Sequence, residues 1–207
     1  MRRIGLLGGS FNPAHRGHRG MSLAALEALG LDEVWWLVSP GNPLKPAEGM
    51  APYAARVASA REQARRSKIK VSEFEAEAGT RFTVDTVEAI RKRWPQHRFI
   101  WLMGEDTVAQ FHQWKEWRRL ARTIPIAIMS RPGYEAQARA ARAMGWLRWF
   151  VRPVATAGRW TNWSAPAISL LRLPPDPTSA TRLRALDPDW HLRFAKQARR
   201  RAPQEPN

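Results

Sequence analysis

The stretch Gly8-Gly9-Ser10-Phe11-Asn12-Pro13-Ala14-His15-Arg16-Gly17-His18 decides the fold, because it joins an apolar run to a segment with helical periodicity. The apolar run is Arg3–Leu7, and the helical pattern covers His18–Leu29. A strand that leads through glycines into a helix offers unpaired backbone N–H groups and partial positive charge at the turn. The stretch therefore predicts a phosphate site directly after the first strand.

Two better-known phosphate loops are absent from the sequence. The P-loop pattern GxxxxGK[ST] does not occur, and GxGxxG does not follow the first strand. His15 and His18 are instead spaced for one side of a first helical turn, where both imidazoles can donate to phosphate oxygens. A zinc pair and a simple capping role are the alternatives, but the three remaining histidines have no metal-ligand spacing: His97, His112 and His191.

Strand-like and helix-like segments alternate through the first part of the chain. This alternation predicts an α/β protein with a doubly wound, mostly parallel sheet and helices on both faces. We expect one domain over residues 1–207, with its core at about 1–134, and read 145–178 as an insertion or extended cover. The predicted strands are Arg3–Leu7, Glu33–Val38, Ile69–Phe74, Phe99–Met103 and Ile124–Met129, and the main helices are His18–Leu29, Pro52–Arg66 and Thr83–Arg93.

Such sheets bind ligands beyond the carboxyl ends of their strands, at a switch in strand order. The rule places the site at the loops that follow Leu7, Val38, Met103 and Met129.

Composition limits the classes of protein to consider. With 207 residues, 44% hydrophobic and 25% charged, the chain predicts a globular protein. It has no cysteine, which excludes disulfides, thiolate metal sites and a cysteine nucleophile. No apolar run reaches the roughly 20 residues of a membrane span, so we expect a cytoplasmic protein without a membrane partner. The formal charge of +16 fits nucleic acid, a small phosphorylated substrate or a bias in composition.

The stretch from Gly8 to His18 resembles the GGTFDPxHxGH signature of the HxGH nucleotidyltransferase superfamily, with Ser10 and Asn12 as mild departures. Other segments are similar to bacterial nicotinate-mononucleotide adenylyltransferases over roughly the first two thirds of the chain, and the match returns near the C-terminus. There, residues 178–184 resemble an ISSTxIR element in which Ala180 replaces the second serine. The earlier segments are 43–45, 81–86, 99–106, 111–117 and 130–134.

The resemblance implies a Rossmann-like nucleotidyltransferase fold with a small C-terminal helical part, in which residues 178–207 complete the ATP site. It implies transfer of AMP from ATP to nicotinate mononucleotide, with His15 and His18 as catalytic residues. Mg²⁺ would arrive with ATP, without a dedicated protein metal site. The implied ATP-binding residues are Gly8, Gly9, Ser10, Phe11, His15, His18, Gly104, Asp106, Arg131, Ser179, Thr181 and Arg184. The implied residues for nicotinate mononucleotide are Lys45, Thr83, Asp106 and Trp114.

Each of these residues also has a purely structural interpretation. Trp114 is one of 11 tryptophans, most of which must be core. Thr83 and Asp106 can be helix caps, and Lys45 can be an ordinary surface lysine.

Two other functions compete with the one that the resemblance implies. One is an adenylyltransferase for another phosphate ester, such as phosphopantetheine. The other is a basic nucleic-acid-binding protein, which gives the two histidines no role, and we expect no nucleic-acid partner. The sequence determines neither the oligomeric state nor the preference between the nicotinate and nicotinamide nucleotides.

Overall fold

The computed structural model describes residues 1–41, 48–130, 140–172, 176 and 178–194. The strands in this part of the chain are β1 (Arg3–Gly9), β2 (Glu33–Val38), β3 (Ile69–Ser72), β4 (Arg98–Gly104), β5 (Ile126–Ser130) and β6 (Ile168–Arg172). The helices are α1 (Arg16–Ala28), α2 (Tyr53–Ala64), α3 (Phe74–Glu77), α4 (Thr83–Arg93), α5 (Glu105–Phe111), α6 (Trp117–Thr123), α7 (Met144–Leu147) and α8 (Ala180–Leu186). Short 3-10 helices lie at Arg148–Phe150 and Val154–Asn162.

The strands form one sheet in the order β3-β2-β1-β4-β5-β6, and every neighbouring pair is parallel. The strand order reverses between β1 and β4, which is the switch point where such sheets bind ligands. The predicted parallel α/β sheet is therefore confirmed. Among the described residues, no helix is both long and apolar enough to cross a membrane.

The core consists of two apolar clusters, one on each face of the sheet. Adjacent residues alternate between them: Leu6 belongs to one cluster and Leu7 to the other, and Trp101 and Leu102 divide in the same way. Helix α4 covers the first face, while α1 and α2 cover the second. Burial on both faces explains why Glu33 in β2 is followed by the unbroken apolar run VWWLV.

Two predictions for individual segments were wrong. Residues 145–178, predicted as an insertion or cover, include β6, which pairs with β5 and extends the sheet. The predicted third strand ends early, because the Ser72 hydroxyl accepts from the Phe74 N–H at 3.2 Å and the chain turns into α3. Both features depend on contacts that local periodicity does not reveal.

Candidate active site

Two adjoining cavities open at the carboxyl ends of β1 and β4. The larger, the main cleft, has a volume of about 520 Å³. The smaller, the aromatic pocket, has a volume of about 120 Å³ and is lined by Phe82, Trp101 and Trp114 together with polar residues. Both cavities are bordered by Trp101, Trp114, Gly8 and Gly9, so one ligand can extend through the two.

Most of the predicted site residues meet at these cavities. Thr83 lines the aromatic pocket, and Trp114 lines both cavities. Lys45 and Arg131 lie outside the described residues. The other predicted residues line the main cleft: Gly8, Gly9, Ser10, Phe11, His15, His18, Gly104, Asp106, Ser179, Thr181 and Arg184.

The two histidines form a reciprocal cap at the start of α1. The Gly17 N–H donates to His15 Nδ1 at 3.1 Å, and the His15 N–H donates to His18 Nδ1 at 3.3 Å. The ring centroids lie 3.9 Å apart. His15 therefore does cap the helix, and both side chains also line the cleft.

These bonds fix the tautomer of each neutral imidazole. Because each Nδ1 accepts from a backbone N–H, each ring carries its proton on Nε2. Two Nε2–H donors at the positive end of a helix are suited to an oxyanion or a phosphoryl group. The arrangement can bind anionic oxygens without a metal.

The Phe11 ring packs against the His18 ring. It stacks on Trp36 with centroids 4.9 Å apart and lies 4.9 Å from the His18 ring. The residue adopts a φ of +48°, and its side chain is buried. Phe11 thus lines the cleft mainly as the wall that holds His18 in place.

A buried arginine, missed by the sequence analysis, fixes the loop before α1. Arg56 of α2 is 1% exposed, and burial lowers the pKa of its guanidinium. It donates to the carbonyl oxygens of Ser10 at 2.8 Å and of Ser39 at 2.7 Å. Further bonds reach the carbonyls of Pro40 and Ala51. One side chain thus ties the loops after β1 and β2 together.

The C-terminal part reaches the same cleft through α8. Ser179 is the N-cap, and its Oγ accepts from the Arg182 N–H at 3.2 Å. Arg184 donates to the Asn12 carbonyl at 2.6 Å and to Thr181 Oγ1 at 3.3 Å. The sequence places both Ser179 and Thr181 before an arginine-containing helix, but Thr181 lies inside α8 as its second residue.

Neither Thr83 nor Asp106 is a helix cap. Phe82 is the N-cap of α4 and makes no side-chain capping bond, so Thr83 is the first helical residue and the N–H groups of the first turn lack a side-chain cap. Gly104 is the N-cap of α5, and Asp106 is its second residue. Both polar side chains border a cavity.

The side chain of Trp114 packs partly against the hydrophobic core and partly lines the candidate site. It packs edge-on against Trp101 at 6.1 Å and Phe111 at 5.3 Å. The residue is only partly buried and borders both cavities, so a face remains for a planar ligand.

Two buried polar atoms at the cavities lack a hydrogen-bond partner among the described residues. They are the Ser10 hydroxyl and the Trp101 indole N–H. An unpaired buried donor costs roughly 1–3 kcal/mol, so such groups are typical of sites where a ligand supplies the partner. Trp101 was not predicted as a site residue.

Glu75 was also missed, although it follows β3 at the carboxyl edge where ligands bind. It lies in α3, is 7% exposed and lines the aromatic pocket. Burial raises the pKa of its carboxyl to about 7, against the lowering effect of a hydrogen bond with Ser39. The sequence signal was a glutamate next to an apolar residue just beyond a strand, which is a weak one.

Replacing Glu75 with glutamine is expected to stabilise the protein at high pH. The folded state holds this proton up to about pH 7 and the unfolded chain only up to about 4.5, so the free energy of unfolding falls across that window. Glu75→Gln removes the loss, on the order of 3 kcal/mol at about pH 8, and changes little near pH 4. Urea unfolding at both pH values measures this, and an equal effect at both would contradict the buried, neutral carboxyl.

Alanine at Gly8 is expected to damage both packing and the site. A Cβ there would lie 2.6 Å from Cη2 of Trp101, so the indole that borders both cavities must move. We expect a loss of roughly 1–3 kcal/mol in stability and weaker substrate binding. Gly20→Ala in α1 is the control, because nothing lies within 4 Å of its added Cβ, and it should be neutral or slightly stabilising. Thermal unfolding of the two variants compares them, and equal stabilities would contradict the close contact.

The described residues contain no group of three or more His, Asp or Glu that could hold a metal ion. Among those residues, two carboxylates border the main cleft, those of Glu48 and Asp106.

Residues 6–185 match the cytidylyltransferase-like family, so the chain belongs to this class of nucleotidyltransferases. A relative from Erythrobacter litoralis, named as a probable nicotinate-nucleotide adenylyltransferase, is 58% identical over 93% of this chain and 88% of its own. A relative of the same name from Parvibaculum lavamentivorans is 48% identical over 92% and 94%. The chain is a member of the nicotinate-nucleotide adenylyltransferase family.

Solved structures support the same fold. Plasmodium falciparum nicotinic acid mononucleotide adenylyltransferase complexed with NaAD has a TM-score of 0.64 at 16% identity, covering 89% of this chain and 83% of its own. The same enzyme complexed with APC has a TM-score of 0.61. At this identity the likeness establishes the fold alone.

Proposed function

We propose that the chain transfers AMP from ATP to nicotinate mononucleotide, giving deamido-NAD and pyrophosphate. The observation that carries the proposal is the union of two cavities: a cleft with a histidine pair after Gly8-Gly9-Ser10, and a pocket lined by aromatic rings. One suits phosphates and the other a single heteroaromatic ring. The names of the relatives from Erythrobacter litoralis and Parvibaculum lavamentivorans support the same activity.

The chemistry is an in-line displacement at the α-phosphorus of ATP. A phosphate oxygen of the mononucleotide attacks, a new P–O bond forms, and the bond to the bridging oxygen of pyrophosphate breaks with its electron pair. No enzyme nucleophile takes part. The protein lowers the barrier by holding the two phosphates in line and stabilising charge on the phosphoryl oxygens.

His15 and His18 supply the donors for that charge. Each presents an Nε2–H, and His18 is assigned to the α-phosphate. The backbone of Gly8 and Gly9 and the unpaired Ser10 hydroxyl line the same cleft. Phe11 keeps His18 in position, so all of these groups are preorganised before ATP binds.

The ribose and the remaining phosphate oxygens of ATP are assigned to other residues that line the main cleft. Asp106 is suited to the ribose hydroxyls, and Ser179, Thr181 and Arg184 to the phosphates. Arg184 already donates to the loop that carries the histidines, which supports a C-terminal part that completes the site within a single domain. Mg²⁺ bound to ATP neutralises phosphate charge. Arg131 stays a prediction outside the described residues.

The mononucleotide is assigned to the aromatic pocket. Trp114 offers a face for the nicotinate ring, worth about 1 kcal/mol or more. The uncapped first turn of α4, with the Thr83 hydroxyl, suits the ring carboxylate. Lys45, predicted to pair with the substrate phosphate, lies outside the described residues, and a cytoplasmic location stays a prediction from the sequence.

A panel of acceptors tests the proposal. Pyrophosphate release is measured with ATP and Mg²⁺ and, in parallel, nicotinate mononucleotide, nicotinamide mononucleotide or phosphopantetheine. We expect the highest kcat/KM with nicotinate mononucleotide. A preference for phosphopantetheine would identify a different acceptor substrate but leave the adenylyl-transfer mechanism unchanged. No turnover, together with steeply salt-dependent oligonucleotide binding, would favour the nucleic-acid alternative.

A further inference from the structure

Glu75 is the one acidic side chain among the described residues that line the aromatic pocket. The others are aromatic rings, small residues, neutral polar groups and the cations Arg81 and Lys115. Glu75 lies in α3, directly after β3, and is 7% exposed. Because a buried carboxylate is costly in an apolar surrounding, its presence here calls for a partner.

Within the part of the chain that the structure describes, no ion pair joins Glu75 to a cation, although Arg81 and Lys115 line the same pocket. Among the described residues, the ion pairs near it join other groups: Arg61 binds Glu73, and Lys115 binds Asp85 at 3.3 Å while lying over the Phe82 ring at 4.5 Å. The Glu75 carboxyl has a hydrogen bond with Ser39, which is a neutral partner. Among the described residues, the direct partner of this carboxyl is therefore neutral, and its distance from any cation is longer than an ion pair.

Nicotinate mononucleotide, the substrate proposed above, would bring a positive charge to Glu75. Its pyridine ring, bonded through nitrogen to ribose, is a pyridinium with a formal positive charge. We propose that Glu75 determines specificity for this positive ring, pairing with the pyridinium while Trp114 stacks on its face. This inference rests on the proposed function. It identifies the positive charge of the pyridinium ring as the feature that the aromatic pocket recognises.

The pocket is then complementary to both charges of the nicotinate ring. The ring carboxylate faces the uncapped start of α4, with Arg81 and Thr83 beside it, and the ring nitrogen faces Glu75. A zwitterionic ring fits this arrangement in one orientation. That orientation directs the ribose and its phosphate toward Gly8 and Gly9, which border both cavities.

Binding should therefore release a proton. Free Glu75 titrates near pH 7 because it is buried, and a pyridinium beside it favours the ionised form, so affinity rises with pH through this range. The groups facing Glu75 are Tyr53 on α2, Ser39 after β2, Arg81 before α4 and Lys115 after α5. The pKa of Tyr53 is raised to about 12, so this phenol stays protonated over the range.

The test compares a charged ring with an uncharged one. Affinities for nicotinate mononucleotide and for its 1,4-dihydro form, whose ring nitrogen is neutral, are measured by titration with α,β-methylene-ATP present. Wild type, Glu75→Gln and Glu75→Asp are compared. Glu77→Gln is the matched control, because Glu77 lies on the same helix and is exposed.

We expect Glu75→Gln to weaken binding of the charged ring roughly 10- to 100-fold and binding of the dihydro form less than about threefold. Glu75→Asp should retain a preference for the charged ring, and Glu77→Gln should behave as wild type. Between about pH 6 and pH 8, wild-type affinity should rise more than that of Glu75→Gln, because the variant lacks the carboxyl that ionises there.

An equal loss for both ring forms would overturn the inference, since Glu75 would then act through structure alone. Unchanged affinities in Glu75→Gln would overturn it as well. In either case turnover of nicotinate mononucleotide by the wild type would leave the proposed function standing. A wild type that neither binds nor turns over this nucleotide would overturn both.

Discussion

Replacing His18 with alanine is expected to lower kcat for adenylyl transfer by roughly 10²–10³, with little change in the KM of nicotinate mononucleotide. The residue supplies an Nε2–H donor to the main cleft, and its assigned partner is charge that grows in the transition state. An interaction of that kind affects kcat more than binding of the ground state. Steady-state pyrophosphate release measures both constants.

The control is His97→Ala. His97 borders a different cavity, at the amino ends of the strands, and should leave kcat near the wild-type value. His18→Ala also removes the acceptor of the His15 N–H, so its thermal unfolding is measured alongside. A variant that keeps its fold and loses less than about threefold in kcat would contradict the role of His18.

The largest expected effect on stability is that of Arg56→Met. The four carbonyl oxygens bound by the guanidinium would lose a buried charged donor, and methionine offers no replacement. We expect a loss of about 3–5 kcal/mol, which corresponds to a fall of roughly 10–15 °C in Tm. The loop after β1 should loosen, and kcat should fall as the histidines lose their fixed positions.

Arg61→Met is the matched control on the same helix. Arg61 forms an exposed ion pair with Glu73, and such pairs contribute about 1 kcal/mol or less. Differential scanning calorimetry compares the two variants. Equal decreases in Tm would contradict the assignment of Arg56 as the residue that ties the two loops together.

The sequence predicted the elements whose signals are local. The bounds of β2 and α4 were predicted without error. Residues 34–38 of β2 are an unbroken apolar run, and Thr83–Arg93 has one apolar face and is followed by Pro95. Strand β6 was missed, since Ile168–Arg172 is short and its pairing partner lies about 40 residues earlier. Pairing over that distance leaves little trace in periodicity.

The same division applies to the site. The loop from Gly8 to His18 carries its own chemistry in sequence order, so the meeting of His15 and His18 at a helix start could be predicted. Glu75 and Arg56 could not, because their importance comes from burial against distant segments. The sequence predicts that an arginine in an alanine-rich helix is exposed. In the structure, Arg56 is buried against the loops that follow β1 and β2.

We expect the main cleft and the aromatic pocket to hold the two halves of one dinucleotide product. A crystal structure of the protein with deamido-NAD tests it most directly. We predict the pyridine ring in the aromatic pocket against Trp114, and pyrophosphate oxygens about 2.7–3.2 Å from Nε2 of His15 or His18. A ring bound outside the aromatic pocket, or a pyrophosphate away from both histidines, would contradict the account.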